Sequence, residues 1–578
     1  MLYGFRKLLV IAAIAATVSA CSTRTYVSAT GSTPPQYTHV YLTIGEVWFT
    51  TDESAQATSS NWSKFSLAEP VTVDLVTASN GTLAKIIGAL RLPPGDYSQI
   101  RLIPVDNAVA LTQSAKALSA TYNNEVDYVD ANTISHRLPL EILNPASGIS
   151  ARGSLSVPLG GGALPVAAGR SNRLSGSSQS TSGLSNSTGP LILNFAVAFN
   201  AATDIALFTY GAQEGAVLNS HAQAFDLAKA GGISGTLTLT NLSNITNASA
   251  RLNITATAES LSDDKSRHIA VLSAPVNADG TFLLYPLPAS DSTKNPTTYD
   301  VVIHGAGIET IIIKGVEVKR SSSGSSSSAS SNMTVGVASV SVGTLIPQTA
   351  SSHAVNLSSS TSLPAGAIVS FYQTLPGSGE VPYMIEQSVI NPFGSTMYLD
   401  LPVSSGIVQT GSYATDIQSI TLTNITPVEG NGGYTVAASA TSFADGALSV
   451  VVAAPSSGTA QVTPAAISPA GDSRSVTIAV AHASNGSYDK GQLLLSRDGT
   501  IFTSTSLDAV LTAAGGGNVT LANVPGGSLL SPFASGIYDV TVRMWNSQDP
   551  ATTLQRRYFP AAVDVRSGNA TAVAITIN

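Results

Sequence analysis

One pattern recurs four times along this chain of 578 residues. An apolar strand ends at a proline beside a glycine or another small residue, and a strand opened by tyrosine follows. The first copy is Leu90-Arg91-Leu92-Pro93-Pro94-Gly95-Asp96-Tyr97. The second runs from Leu284-Tyr285-Pro286-Leu287-Pro288-Ala289 to Tyr299-Asp300-Val301, and the third from Ile425-Thr426-Pro427-Val428-Glu429-Gly430 to Tyr434-Thr435-Val436. The fourth runs from Ala522-Asn523-Val524-Pro525-Gly526 to Tyr538-Asp539-Val540. Proline and glycine turn the chain, and the tyrosine is expected to half-bury its ring with the hydroxyl near solvent. Asp279-Gly280-Thr281-Phe282 and Asp498-Gly499-Thr500-Ile501-Phe502 add a second shared turn. Chain punctuated this way predicts an all-β fold, a string of about four tandem β-sandwich domains.

Composition points the same way. Charged residues make up 11% of the chain, against a usual share of about 25%. Serine, threonine, glycine, alanine and valine take the place of the polar residues that exposed helices need. The formal net charge is −8 and no run of lysine and arginine stands out, so the basic footprint of a nucleic-acid partner is missing.

The N-terminus reads as an export signal. Arg6 and Lys7 precede the apolar run Leu8 to Ala16, and Val18-Ser19-Ala20 leads into Cys21. The run is shorter than the roughly 20 residues that cross a bilayer as a helix. Cys21 is the only cysteine, so no internal disulfide can account for it. Val18-Ser19-Ala20-Cys21 resembles the bacterial lipobox, with Val18 where leucine is usual. That resemblance implies lipidation at Cys21 and a membrane partner reached through the lipid. Ser22 after the cysteine implies the outer membrane rather than inner-membrane retention, and so a place in the cell envelope.

The expected organisation is a signal peptide at 1–20, a flexible tether at 21–36 and a first sandwich at 37–226 with a low-complexity loop near 169–189. A second sandwich follows at 231–347 with a Ser-rich loop at 321–332, then a third at 348–455 and a fourth at 456–578. Tyr41 to Phe49, Val73-Asp74-Leu75 and Leu92-Pro93-Pro94-Gly95-Asp96-Tyr97-Ser98-Gln99-Ile100-Arg101-Leu102 resemble the bacterial family called domain of unknown function 4382. That family brings no function with it. Gly232-Ile233-Ser234-Gly235-Thr236, Asp279-Gly280-Thr281-Phe282 and Tyr299-Asp300-Val301 resemble carboxypeptidase regulatory-like and starch-binding-like sandwiches. These resemblances imply modules of transthyretin-like or immunoglobulin-like build, mostly non-catalytic and in some cases glycan-binding.

Catalytic signatures are absent: no G-x-S-x-G elbow, Walker loop, G-x-G-x-x-G or H-E-x-x-H. The seven histidines stand apart, with no metal-ligand spacing. No catalytic residue, metal or cofactor is assigned. The acidic stretch Asn123, Asn124, Glu125, Asp127 and Asp130 offers oxygens for a cation or for sugar hydroxyls, but it matches no calcium loop. A solvated loop is the plainer reading. Trp62, in the polar stretch Ser59 to Lys64, could stack on a sugar, whereas Trp48 between Val47 and Phe49 reads as core. Trp62, Asn124, Asp127 and Asp130 are therefore the candidate ligand-binding residues. Three functions stay open: a non-catalytic structural or adhesive envelope lipoprotein, a carbohydrate-binding one, and a hydrolase with an unrecognised carboxylate site. The candidate partner is a glycan or an envelope protein.

Overall fold

The computed structural model describes residues 23–577 apart from 131–132, 159–191, 211–212, 239–250, 291–294, 306, 321–331, 335–338, 359–362, 392–395, 404–406, 415–419, 431–432, 451–459, 463, 483–486, 527–535, 550–553 and 569. The signal segment, Cys21, the 169–189 loop and all but Asn332 of the Ser-rich loop lie outside the described residues.

Strands dominate from end to end. The first unit is built on a 13-stranded sheet, one strand of which, Asn332–Thr334, comes from the second stretch of chain, and in it Tyr37–Thr50 pairs with Ser63–Asp74, Gly95–Pro104 and Glu125–Val129. Its core gathers Val40, Leu42, Phe49, Ile100, Leu155 and Phe195, all buried. The expected tether at 21–36 is overturned over most of its length. Thr23–Ser32 is a strand of this sheet, antiparallel to Thr82–Leu92 and parallel to Ile192–Asn200. Its polar letters mislead because Thr25, Ser28 and Thr30 are buried between neighbouring strands while Val27 and Ala29 enter the core.

The next three units repeat one topology. In the second, Ala230–Leu237 pairs antiparallel with Thr281–Pro288 and parallel with Ser339–Leu345. In the fourth, Ser473–His482 does the same with Gly517–Pro525 and Ala570–Ile577. In the third, Ser351–Ser358 pairs antiparallel with Thr396–Val403 and parallel with Ala460–Val462. Each three-stranded sheet is matched by a second sheet that has a hairpin at one edge, such as Lys490–Arg497 with Thr500–Ser506. Val408–Ser412 and Thr423–Ile425, from the third stretch of chain, extend the second unit's larger sheet. That addition explains the unbroken run Ile311-Ile312-Ile313. Ile311 and Ile313 enter the second unit's core, and Ile312 enters the core shared by the third and fourth.

The recurring tyrosine has a physical role. Tyr97, Tyr299 and Tyr538 are buried, and their hydroxyls donate to the carbonyls of Pro93 (2.9 Å), Pro288 (2.8 Å) and Pro525 (2.6 Å). The hydroxyl expected near solvent instead ties the returning strand to the proline that turned it.

The units do not form a string. Leu143 and Phe208 of the first, Val389 of the third and Leu494 and Ile501 of the fourth share one apolar cluster. Phe225 of the first packs with Tyr285 of the second. The chain closes on itself.

Candidate functional site

The residues nominated from sequence are consumed by the architecture. Glu125 and Asp127 lie two apart on Glu125–Val129, so their side chains share a face. Arg137, directly opposite Asp127, donates to both its carboxylate oxygens at 3.0–3.2 Å. Glu125 accepts from the backbone of Thr121 (2.7 Å) and Tyr122 (2.8 Å). Asn124 accepts from Thr43 N at 3.0 Å and donates to the Val105 carbonyl at 2.7 Å. Asp130 accepts from Ile134 N at 2.8 Å, closing its own turn. Asn124 and Asp127 are buried. The cluster is a brace for a loop, not a row of oxygens aimed at solvent, and no metal-holding group of side chains is found among the described residues.

Trp62 is overturned as a sugar platform. It is 8% exposed, packs on Trp48 with ring centroids 6.0 Å apart, and donates its indole N–H to the Gln56 carbonyl. The Arg101 guanidinium lies over its ring at 4.9 Å, and Lys64 covers Trp48 at 3.6 Å. No open ring is left for a sugar to stack on. What Trp62 does instead is hold Arg101. That fully buried arginine donates to the Ser147 carbonyl (2.6 Å) and to Asp498 of the fourth unit (2.7 Å).

A second interunit cluster joins Glu141, on Ser135–Ile142 of the first unit, to Arg543 at 2.9 Å and to Arg556. The two arginines face each other across adjacent strands of the fourth unit. Burial works to raise the Glu141 carboxyl, and the two guanidiniums outweigh it and hold it below the usual range.

A third polar cluster fills the junction of the second and third units. Glu259 accepts from Met384 N at 3.3 Å, His268 stacks on Tyr383 at 4.1 Å, and His304 Nδ1 lies 3.5 Å from Glu386 Oε2. Burial pushes Glu259 well above the carboxylate range and Glu386 up to about 7, and it pushes His304 down to about 4. Both groups of the His304–Glu386 pair are thus held towards their neutral forms. Sequence reasoning missed these residues because isolated acids and histidines on strands carry no spacing signal.

Alternation along Tyr383–Val389 sends the neighbouring Gln387 the other way, into a cleft of about 170 Å³ where the first three units meet. Gln223, Gln387, Asn200, Ser273 and His221 line it beside Phe199 and Leu272. The lining sets amides, hydroxyls and the His221 imidazole against apolar carbon, a composition suited to a small polyol.

Comparison with solved structures gives loose likenesses. The Bacillus anthracis TIE protein is 8% identical, over 95% of this chain and 73% of its own, with a TM-score of 0.15. The shaft pilin SpaA from Lactobacillus rhamnosus GG is 11% identical over 39% of this chain and 98% of its own, with a TM-score of 0.16. A streptococcal ancillary pilin is 8% identical over 59% of this chain and 98% of its own, at 0.13. Superpositions this loose carry no functional weight. Comparison with curated proteins finds no match. The family model described as Domain of unknown function (DUF4382) matches residues 25–205, beginning inside the Thr23–Ser32 strand, and that stretch of the first unit is similar to this family.

Proposed function

We propose that this protein is a non-catalytic cell-envelope lipoprotein, anchored through lipid on Cys21, with a structural role near the membrane surface. The observation that carries the reading is the closure of the fourth unit onto the first. Arg101–Asp498 and Glu141–Arg543–Arg556 lock the two ends of the chain into one body. That body is rooted in a strand that starts two residues after Cys21. An adhesive stalk would set its units end to end, so a structural role is preferred to an adhesive one. Ser22 after the cysteine supports the outer membrane as the site of anchoring. The experiment is Cys21→Ala in cells. The variant is expected to leave the membrane fraction or to accumulate as an unprocessed precursor. Normal processing and fractionation would sink the anchor.

The cleft favours a second reading, a carbohydrate-binding lipoprotein, with which the starch-binding-like resemblance of residues 231–347 belongs. The side-chain amides of Gln223 and Gln387 make no hydrogen bond among the described residues and are available to sugar hydroxyls. A glycan array probed with the mature chain and with Gln223→Ala/Gln387→Ala should show neutral glycans retained by the first and lost by the second. Blank arrays for both would retire the idea.

A further inference from the structure

The first strand leaves almost no slack between Cys21 and the sheet. Thr23 is already opposite Leu92, and Arg24 is opposite Arg91. Extended chain covers at most about 3.6 Å per residue, so three residues place the Arg24 backbone within about 11 Å of Cys21. The argument rests on the anchor reading. With diacylglycerol on Cys21, that distance keeps Arg24 in or beside the headgroup layer, which adds roughly 5–8 Å to each side of the hydrocarbon core.

The end of the sheet that meets this layer has an unusual composition. Arg24 and Arg91 are both exposed and face each other across adjacent antiparallel strands. Like charges so placed repel each other unless something anionic lies between them. Neither has a carboxylate partner among the described residues. The acid on the neighbouring turn, Asp96, accepts from Ser156 at 2.7 Å. Pro93 and Pro94 are exposed in the turn after Leu92. Ile192, 36% exposed, lies beside Arg24 on its other flank. Two guanidiniums with an apolar rim suit a phosphate at the edge of a hydrocarbon layer, because the planar fork binds phosphate oxygens in pairs.

We propose that Arg24 and Arg91 form a clamp for the phosphates of anionic lipid headgroups, seating the first unit directly on the leaflet that holds the Cys21 lipid. The lipid supplies the attachment and the clamp supplies the orientation. Lys85 stands farther up the same sheet, opposite Ser28 and over the Tyr26 ring at 5.3 Å, and serves as the basic control away from the Arg24–Arg91 pair.

The test uses the full mature chain carrying Cys21→Ser, so that no acyl group contributes to binding. It should co-sediment with vesicles rich in phosphatidylglycerol and not with pure phosphatidylcholine. Arg24→Gln/Arg91→Gln should lower that partitioning about thirtyfold, at about 1 kcal/mol for each basic group near an anionic surface. Lys85→Gln should change it far less. The double variant removes a like-charge pair, so its melting temperature should hold or rise, which separates lost binding from lost folding. Indifference to phosphatidylglycerol, or an equal loss with Lys85→Gln, would overturn the clamp. Equal release by chloride and by inorganic phosphate at matched ionic strength would reduce the binding to unspecific charge attraction and overturn the clamp. The anchor fails separately, as a native chain whose Cys21 peptide carries no acyl mass.

Discussion

Replacing Glu141 with alanine is expected to destabilise the folded chain by about 3–5 kcal/mol, because it strands a buried arginine without its counter-charge. Arg543 is 3% exposed at its side chain, and its guanidinium lies over the Phe208 ring at 4.7 Å. Gln492 accepts from its Nη1 at 2.7 Å, but a neutral amide cannot replace the carboxylate. Arg556 lies directly across from Arg543, so the variant would also leave two like charges facing each other in low dielectric. Calorimetry should show the transition that carries the first and fourth units falling by roughly 10 °C. Glu141→Leu/Arg543→Met should recover much of the loss, since replacing a whole buried ion pair with apolar groups of similar size is often neutral. A Glu141→Ala protein that melts like the wild type would show that the two ends of the chain are not held together by charge.

The reason this clamp matters lies in the composition. A chain with 11% charged residues places several of them at its unit junctions rather than on its surface. Arg101 and Arg543 are buried against acids 397 and 402 residues away in sequence. Such partners cannot be read from spacing. The sequence shows Asp498-Gly499 as a turn, and the structure agrees, with φ of 55° and 87° at the two positions. That the same aspartate also receives Arg101 depends on how the units close, which no local pattern encodes.

The fold itself was largely legible, and for identifiable reasons. The proline-to-tyrosine step marks a strand return in the first, second and fourth units because the hydroxyl closes onto the proline carbonyl. In the third unit the strand before Pro427 is Thr423–Ile425, which joins the second unit's sheet, so the pattern recurs there at a different place in the topology. Thr23–Ser32 was misread because a strand rich in serine and threonine looks like linker until its neighbours are known. Trp62 was misread for a related reason. Its polar sequence neighbours suggested exposure, while the residues that cover it, Trp48 and Arg101, lie on other strands.

Replacing Glu386 with glutamine should make the junction of the second and third units less sensitive to alkaline pH. Burial raises this carboxyl from 4.5 to about 7. Its contribution to stability is therefore fully present below about pH 4.5 and is lost as pH rises through 7, where the folded state must ionise a half-buried acid in poorly solvated surroundings. His304 works in the opposite sense. Its value is lowered from 6.5 to about 4, so its contribution is present above 6.5 and is lost as pH falls towards 4. The two slopes offset each other between these limits, and Glu259, raised well above its ordinary value, tips the balance towards weakness on the alkaline side. His268, lowered by burial against the pull of Asp300, adds to the acid-side loss. Glutamine keeps an oxygen to accept from Gln387 N (2.9 Å in the wild type) and cannot ionise. The variant should gain about 2–3 kcal/mol on the wild type between pH 5 and pH 8, at 1.36 kcal/mol per pKa unit. Melting temperatures of both proteins across that range provide the check. Curves that stay parallel would mean that Glu386 is ionised in the folded chain throughout, and that the junction tolerates a charge which its poorly solvated surroundings should disfavour.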